Sequence, residues 1–538
     1  MNSQPSVLRD FTVDRRVWLL SAAALVIGTG AAGLAALLLR CIALSTNLFY
    51  YHRFSLAPVA PAGSPLGLWM PLVPVAGGVL VGLMARYGSD KIRGHGIPEA
   101  IEAILLRGAR VDPQIAVLKP ISAAIAIGSG GPFGAEGPII MTGGAFGSLV
   151  AQWMKLTDAE RTTLLVAGAA AGMSATFAAP LAAILLAVEL LLFEWRPRSL
   201  VPVAFASTAA AVLRVYWLGP GAIFEMPPFG AQSAALPLAA LAIGLLAGVA
   251  ATALSRMMYG FEDLFGHIPV HWMWWPAVGG IGVGIGGIFF PRGLGVGYDN
   301  IGELLRGSAP LGLIAGVILA KSLMWAFSLG SGTSGGVLAP LLMIGGALGE
   351  LLAVLAHAST QTQALCALVG MGAMLSGSLG VPLTAIVFSL ELTHCFPAIL
   401  PLSVACFASH AVTSLVMPRS ILTEKLGRRG YHLTREYGVD PLETISVMEV
   451  MPEYSEQPAI ASDFQNHAFT DEPCRGVAER MAMSGIHSMP VLDRSTKTVR
   501  GTVSVQDLLR GRRRSMQREN HRLRVFGHRA GAVERQPK

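Results

Sequence analysis

The hydrophobic pattern of the chain alternates between long apolar segments and shorter ones broken by glycine and proline. Residues 17–39 and 234–254 are apolar runs of about the 20 residues that a helix needs to span a bilayer. Residues 121–150 and 330–349 are also apolar but interrupted. Because unpaired backbone groups in lipid cost several kcal/mol each, we expect the broken segments to line a protein-enclosed or aqueous cavity. The pattern predicts an all-α polytopic membrane protein.

The same pattern occurs twice along the chain. Residues 128–147 and 330–349 share ten of twenty positions without a gap, and residues 179–190 and 381–392 share six of twelve. Both pairs are separated by 202 residues, a shared offset that indicates duplication of the membrane region. Repeated halves with broken helices in corresponding places are typical of transporters with a site near the bilayer midplane.

Composition supports a membrane protein and argues against nucleic-acid binding. The chain is 53% hydrophobic and 14% charged, with a net charge of +7. Residues 510–538 hold ten Lys or Arg against two Glu, so this tail alone carries +8. We interpret it as a cytoplasmic segment that fixes topology or contacts anionic lipid, and expect no nucleic-acid partner. The five cysteines lack paired metal-ligand spacing, so we expect no metal site.

In each repeat, a glycine-rich turn leads into a proline and then into an apolar helix. The segments are "GAEGP" (134–138) and "GVLAP" (336–340), and "GHGIP" (94–98) is a third of the same kind. A helix N-terminus carries unpaired N–H donors and roughly half a positive charge, so it binds anions without a basic side chain. Converging N-termini of this kind would form a dehydrated anion site.

Glu136 is the only ionisable side chain between Lys119 and Lys155. At about 4 Å and an effective dielectric constant near 20, an ionised Glu136 would repel a bound anion by roughly 4 kcal/mol. Ionised, it would occupy an anion position; protonated, it could swing away and admit the anion. The pattern predicts a gate controlled by pH, and the alternative is a static glutamate satisfied by neighbouring N–H groups.

These segments, in this order, resemble the three signature segments of the CLC chloride channel and transporter family. The resemblance covers about residues 15–430. It implies a homodimer with one anion pathway per subunit, each subunit an inverted repeat of tilted helices, with Glu136 as the gating glutamate and chloride as the expected ion. The anion-binding residues that it implies are Gly94, His95, Gly96, Ile97, Pro98, Gly134, Ala135, Glu136, Gly137, Pro138, Gly336, Val337, Leu338, Ala339, Pro340 and Leu422.

The chain departs from the family pattern at several positions. His95 stands where a serine is usual, Leu422 where a tyrosine is expected, and Leu338 where phenylalanine is common. An imidazole is larger than a hydroxyl and can be protonated next to an anion, so we expect His95 to affect anion selectivity and pH response.

A further departure concerns proton coupling. Exchangers of the family carry an inward-facing proton glutamate directly after the position of Glu189, and here that residue is Leu190. The apolar residue favours channel-like flow. The alternative is a chloride/proton antiporter that uses another relay, for which Glu189 and Glu194 are the candidates.

Two other patterns allow competing interpretations. Residues 332–336 match G-x-S-x-G, so a membrane serine hydrolase with Ser334 as nucleophile, using His357 or His410, is a separate hypothesis; the repeat already accounts for that segment, and we expect no enzyme activity. Lys119 and Lys321 each precede a broken segment, and either raise the anion concentration at a vestibule or extend to the membrane surface.

The end of the chain is polar. Residues 474–511 alternate helix, strand, turn, strand and helix, which resembles the second part of a CBS domain. Such domains can hold adenine nucleotide, with Asp507 at the ribose position; the alternative is a nucleotide-free scaffold. We expect a cytoplasmic segment at 1–14, the transmembrane region at 15–430 (repeat halves about 15–217 and 234–427), a small α/β CBS-like cytoplasmic domain at 431–510 and a basic disordered tail at 511–538. Both termini are expected in the cytoplasm, with the chain in the cell (inner) membrane.

Overall fold

The computed structural model describes residues 15–228, 236–431, 440–452, 467–496 and 498–514. The predicted segment at 1–14 and most of the predicted tail lie outside these residues. The chain divides into two compact units, residues 1–435 and 436–538, a boundary five residues beyond the predicted start of the C-terminal domain.

The first unit consists of helices. Those of the first half are α1 (Arg16–Tyr51), α2 (Leu72–Tyr87), α3 (Ile97–Leu106), α4 (Pro113–Gly128), α5 (Glu136–Trp153), α6 (Asp158–Phe177), α7 (Pro180–Leu186) and α8 (Pro197–Leu218). Those of the second half are α9 (Leu236–Gly266), α10 (Trp275–Phe289), α11 (Tyr298–Leu305), α12 (Leu311–Gly316), α13 (Ser322–Gly330), α14 (Leu338–Leu355), α15 (Thr360–Leu379), α16 (Pro382–Thr393) and α17 (Ile399–Val416), followed by α18 (Glu424–Arg428). Within the described ranges, eight helical segments are long and apolar enough to cross a membrane.

The duplication seen in the sequence reappears in the helix boundaries. Helix α5 begins at 136 and ends at 153, and α14 begins at 338 and ends at 355, a spacing of 202 at both ends. The same spacing relates both ends of α6 and α15 and the starts of α7 and α16. The predicted breaks are confirmed as well, because α4 stops at Gly128 before α5 and α13 stops at Gly330 before α14.

The two halves are joined by reciprocal carboxylate contacts at the starts of α7 and α16. Glu391 on α16 accepts hydrogen bonds from the backbone N–H groups of Leu181 and Ala182 at 3.0 and 2.8 Å. Its repeat counterpart Glu189, in the π-helical turn Ala187–Leu192 after α7, accepts from the N–H groups of Leu383 and Thr384 at 3.3 and 2.8 Å. Each carboxylate therefore satisfies N–H groups that have no partner within their own helix. Reciprocal contacts of this kind follow from a two-fold relation between the halves.

The second unit is a small α/β structure. It contains α19 (Pro441–Thr444), α20 (Val447–Val450), β1 (Ala468–Phe469), α21 (Cys474–Ser484), β2 (Ser488–Leu492), β3 (Val499–Ser504) and a final helix, α22, over 505–514. Strand β2 lies between β1, which is parallel to it, and β3, which is antiparallel. The predicted helix–strand–turn–strand–helix order is confirmed. Residues 511–514, which the sequence assigned to the basic tail, continue α22, and Gly511 among them is buried.

We predict that Glu391→Ala lowers the thermal unfolding midpoint of the protein in detergent. The substitution leaves two helix N–H groups without their carboxylate partner, which costs about 1–3 kcal/mol. The matched control is Glu225→Ala, which removes an exposed glutamate and is expected to leave the midpoint unchanged. Equal midpoints for the two variants would contradict the proposed role of the reciprocal contacts.

Candidate functional site

The breaks in the two halves meet in the interior of the first unit. The N–H of Gly134 donates to the carbonyl of Gly336 at 3.2 Å, and the N–H of Gly336 donates back to Gly134 at 2.9 Å. The N–H of Gly94 donates to the carbonyl of Thr333 at 3.2 Å. The loop between α4 and α5 is therefore hydrogen-bonded to the loop between α13 and α14, beyond the points at which α4 and α13 end. We call this arrangement the glycine junction.

The glycine junction brings three helix N-termini close together. A Cβ atom on Gly137 would lie 2.0 Å from the carbonyl oxygen of His95 and 3.3 Å from the Cα of Gly336. Gly96, at the N-cap of α3, has a φ of +90°, which only glycine adopts readily. The structure thus gathers the predicted segments 94–98, 134–138 and 336–340 in one place.

The N–H groups of these segments divide into two classes. Those of Gly94, Gly134 and Gly336 are used in the pairing just described, so they are not available as donors to an anion. In α5 the first intrahelical bond is made by the N–H of Ile139, and in α14 by that of Leu341. The preceding N–H groups, such as those of Gly137 and Leu338, have no intrahelical partner and remain as donors.

Glu136 is the first residue of α5 and is fully buried. Its Oε1 accepts a long hydrogen bond of 3.4 Å from the Tyr298 hydroxyl, and its Oε2 has no hydrogen-bond partner among the described residues. The carboxylate lies against the glycine junction, because a Cβ on Gly336 would be 2.9 Å from Oε2. The backbone N–H groups of Glu136 itself and of Ala339 face it. An acidic side chain therefore occupies the meeting point of two helix N-termini.

His95 is buried directly before the N-cap of α3. Its Nδ1 has no hydrogen-bond partner among the residues that the structure describes. The charged groups that act on the ring are Glu99, Lys119 and Lys425. The predicted anion-site residue Leu422 is also fully buried and precedes α18, so this position offers only an apolar side chain.

Lys119 and Lys321 fit neither expectation drawn from the sequence. Both are fully buried, and they are repeat counterparts 202 residues apart. Lys119 Nζ donates to the carbonyls of Ile92 and Gly94, each at 2.7 Å, while Lys321 Nζ donates to those of Gly295 and Val296, each at 3.1 Å. Each ammonium group therefore holds the loop that leads into a short helix, α3 or α11. Neither lysine reaches a vestibule surface or the membrane interface.

The candidate proton-relay residues Glu189 and Glu194 make their hydrogen bonds and ion pairs with groups other than Glu136. Glu189 is held by the start of α16, and Leu190 beside it is fully buried. Glu194 accepts from the Ser199 hydroxyl at 2.5 Å and pairs with Arg196 and Arg198, each at 3.4 Å. Glu194 is therefore engaged by polar groups at the start of α8.

The remaining candidates are occupied by local contacts. Ser334 is buried, and its hydroxyl accepts from Ser122 at 3.1 Å with no histidine in contact among the described residues. In the second unit, the Asp507 carboxylate accepts from the N–H and hydroxyl of Ser504 at 2.9 and 2.6 Å and from Arg510 at 3.0 Å. Within the described ranges, no group of three or more His, Cys, Asp or Glu side chains is placed to hold a metal ion.

Comparison with known proteins identifies this arrangement. The pattern of the family described as "Voltage gated chloride channel" matches residues 77–414, more than half of the chain. The chain belongs to this family. The expectations of a CLC-type fold and of anion transport are thereby confirmed.

Two relatives and one solved structure show what the chain is similar to. The chain is 30% identical over 365 residues to a putative chloride channel protein ClcB-like of Ralstonia nicotianae, covering 66% of this chain and 85% of that one. It is 30% identical over 378 residues to the H(+)/Cl(-) exchange transporter ClcA of Citrobacter koseri, covering 65% and 78%. Its fold is similar to that of a slow cyanobacterial Cl-/H+ antiporter, with a TM-score of 0.68, 24% identity and coverage of 78% and 99%.

Two features of this family member escaped the sequence analysis. Tyr298 drew no attention in the sequence, because its contact with Glu136 depends on the two halves folding together. Arg93 lies over the rings of Trp272 and Trp275, at 4.9 and 5.5 Å from their centroids. A basic residue directly before "GHGIP" was the available signal for this stacking.

Proposed function

We propose that the protein is a homodimer that conducts inorganic anions, chloride first among them, through one pathway in each subunit. Glu136 acts as the gate of that pathway. The observation that carries the proposal is the fully buried Glu136 carboxylate at the meeting point of the α5 and α14 N-termini, with Oε2 lacking a hydrogen-bond partner among the described residues. We place the protein in the cell (inner) membrane with both termini in the cytoplasm.

The gate follows from competition between two anions for one site. Helix N-termini stabilise a negative charge whether it belongs to a carboxylate or to a free ion. An ionised Glu136 fills the position and repels chloride by roughly 4 kcal/mol at about 4 Å. Protonation removes both effects and frees the N–H groups of Glu136 and Ala339, which face the carboxylate, for the ion.

Passive flow is the mode that we propose, in preference to proton exchange. Leu190 cannot carry a proton, and the contacts of Glu189 with α16 and of Glu194 with Arg196 and Arg198 commit both carboxylates to other partners. The relatives include a putative chloride channel and a proton exchanger. An exchanger with another internal relay is therefore the second candidate.

We propose that residues 431–510 form a CBS-like domain that serves as a nucleotide-free scaffold. Asp507 supports this proposal, because Ser504 and Arg510 already engage both of its carboxylate oxygens. Adenine nucleotide at Asp507 would have to displace these partners. The basic residues after 510 are proposed to contact anionic lipid.

The deciding measurement is anion flux from liposomes that hold the purified protein under a chloride gradient, with the membrane potential clamped and the internal pH recorded. We predict chloride efflux without proton movement, because position 190 carries no ionisable group. Uphill proton movement driven by chloride would instead establish the exchanger. Absence of chloride movement would refute anion conduction.

We predict that wild-type chloride flux rises as pH falls, since protonation empties the site of its carboxylate, and that Glu136→Gln gives high flux with little pH dependence. The amide carries no charge at any pH and so resembles the protonated state. Glu350→Gln is the matched control, because it removes another buried carboxylate from the equivalent helix α14 and should keep the wild-type pH profile. If the pH dependence of chloride flux in Glu136→Gln equals that of the wild type, Glu136 is not the gate.

We predict that His95→Ser changes the order of permeability among chloride, bromide and nitrate. The smaller hydroxyl alters the space and the hydrogen-bond donors beside the N-cap of α3. Bi-ionic reversal potentials measure the order, with His267→Ser, an exposed histidine, as the control. If His95→Ser has wild-type selectivity, the imidazole is a packing residue only.

A further inference from the structure

A cavity of about 310 Å³ opens beside the start of α3. Its lining includes Gly94 and His95, so it reaches the Gly94 side of the glycine junction. Six lysine or arginine side chains and five acidic ones line it. Because these charges nearly cancel, the attraction of an anion to the cavity depends on the positions of the individual charged groups.

One ion pair lies directly on the backbone at the entrance to α3. Lys425 Nζ is 2.6 Å from Glu99 Oε1, with side-chain exposures of 23% and 12%. A Cβ on Gly94 would be 3.1 Å from this ammonium nitrogen and 3.4 Å from this carboxylate oxygen. The pair therefore connects α18 to α3 at the residue next to His95.

Three other cations near this point have partners of their own. Lys119 is fully buried and donates to the carbonyls of Ile92 and Gly94. Arg93 stacks on two tryptophan rings. Arg429 pairs with Glu102, and half of its side chain is exposed. Lys425 differs from these three because its ammonium group lies beside Gly94 while its side chain is 23% exposed.

The partner of Lys425 is incompletely satisfied. Glu99 Oε2 is buried and has no hydrogen-bond partner among the described residues. The charged or titratable groups acting on this carboxylate are Lys425 on α18, Lys119 on α4 and His95 before α3. Leu422, three residues before Lys425, offers no polar group, so the positive charge on the α18 side of the cavity comes from Lys425 and from Arg429, which is paired with Glu102.

We propose that Lys425 is the cationic group that binds an inorganic anion entering the site from this cavity, and that Glu99 is a tethered competitor for it. This inference rests on the proposed anion conduction. The arriving anion replaces the Glu99 carboxylate as the partner of the Lys425 ammonium group. This ammonium group is therefore never left buried without a negative partner. The pair therefore sets the anion concentration at which the pathway fills.

The test compares charge-changing variants by the chloride concentration that gives half-maximal flux in liposomes. Removing the competitor in Glu99→Gln lowers this concentration by about tenfold, and removing the cation in Lys425→Met raises it by about tenfold, a modest share of the attraction between close charges. Lys425→Arg keeps the charge and stays nearer the wild type than Lys425→Met does. Asp263→Asn is the control, because it breaks the ion pair of α18 with α9 through Arg428, away from the lining of this cavity.

The exchanged variant Glu99→Lys with Lys425→Glu separates binding from structure. It restores an ion pair but reverses its polarity, so we expect folded protein with the weak anion affinity of Lys425→Met. Wild-type affinity in the exchanged variant, or shifts of Glu99→Gln and Lys425→Met in the same direction, would reduce the pair to a structural contact. If the exchanged variant does not fold, the opposite shifts of the single variants still decide. Absence of chloride flux in both the wild type and Asp263→Asn would refute the proposed function itself. If both conduct chloride, and Glu99→Gln and Lys425→Met have the half-maximal chloride concentration of the wild type, only the role of Lys425 is refuted.

Discussion

Backbone polar groups in an apolar interior must find partners, and the breaks before α5 and α14 expose several of them at once. The mutual hydrogen bonds of Gly134 and Gly336 satisfy these groups by joining one break to the other, which neither half could do alone. Such breaks are tolerated at membrane depth only where protein or water encloses them. The site therefore exists because two incomplete halves complete each other, and the reciprocal contacts of Glu189 and Glu391 reinforce the same arrangement.

Two buried lysines satisfy backbone carbonyl groups in the loops that lead into α3 and α11. Lys119 and Lys321 satisfy two loop carbonyls each, and the positive charge that they bring to the interior lies behind the starts of α3 and α11. A buried charge is costly unless it is hydrogen-bonded, and both lysines are. Their position places positive charge near the proposed anion site while both ammonium groups stay fully buried. Lys425, which is partly exposed, differs from both in this respect.

The repeat made much of the fold predictable. The offset of 202 residues located the helices that pair across the two halves, and the glycine–proline segments marked where α3, α5 and α14 begin. Contacts between side chains of distant segments could not be predicted from the repeat. The burial of Lys119, the Tyr298 contact with Glu136 and the pairing of Lys425 with Glu99 each join residues from different elements. The donors used up at Gly94, Gly134 and Gly336 also required the structure, because a glycine that permits close approach looks the same in sequence as one that binds an ion.

The scaffold is repeated, but the chemistry within it is not. Glu136 at the start of α5 corresponds to Leu338 at the start of α14, so the junction receives one carboxylate instead of two. Two carboxylates at close range could not both ionise, so one would remain protonated and could not act as the single gate that we propose. The second half instead supplies Tyr298, a neutral donor, to the carboxylate of the first. In the proposed mechanism, this asymmetry places the gate on one half and its hydroxyl donor on the other, so the proposed gating depends on the same contacts that hold the two halves together.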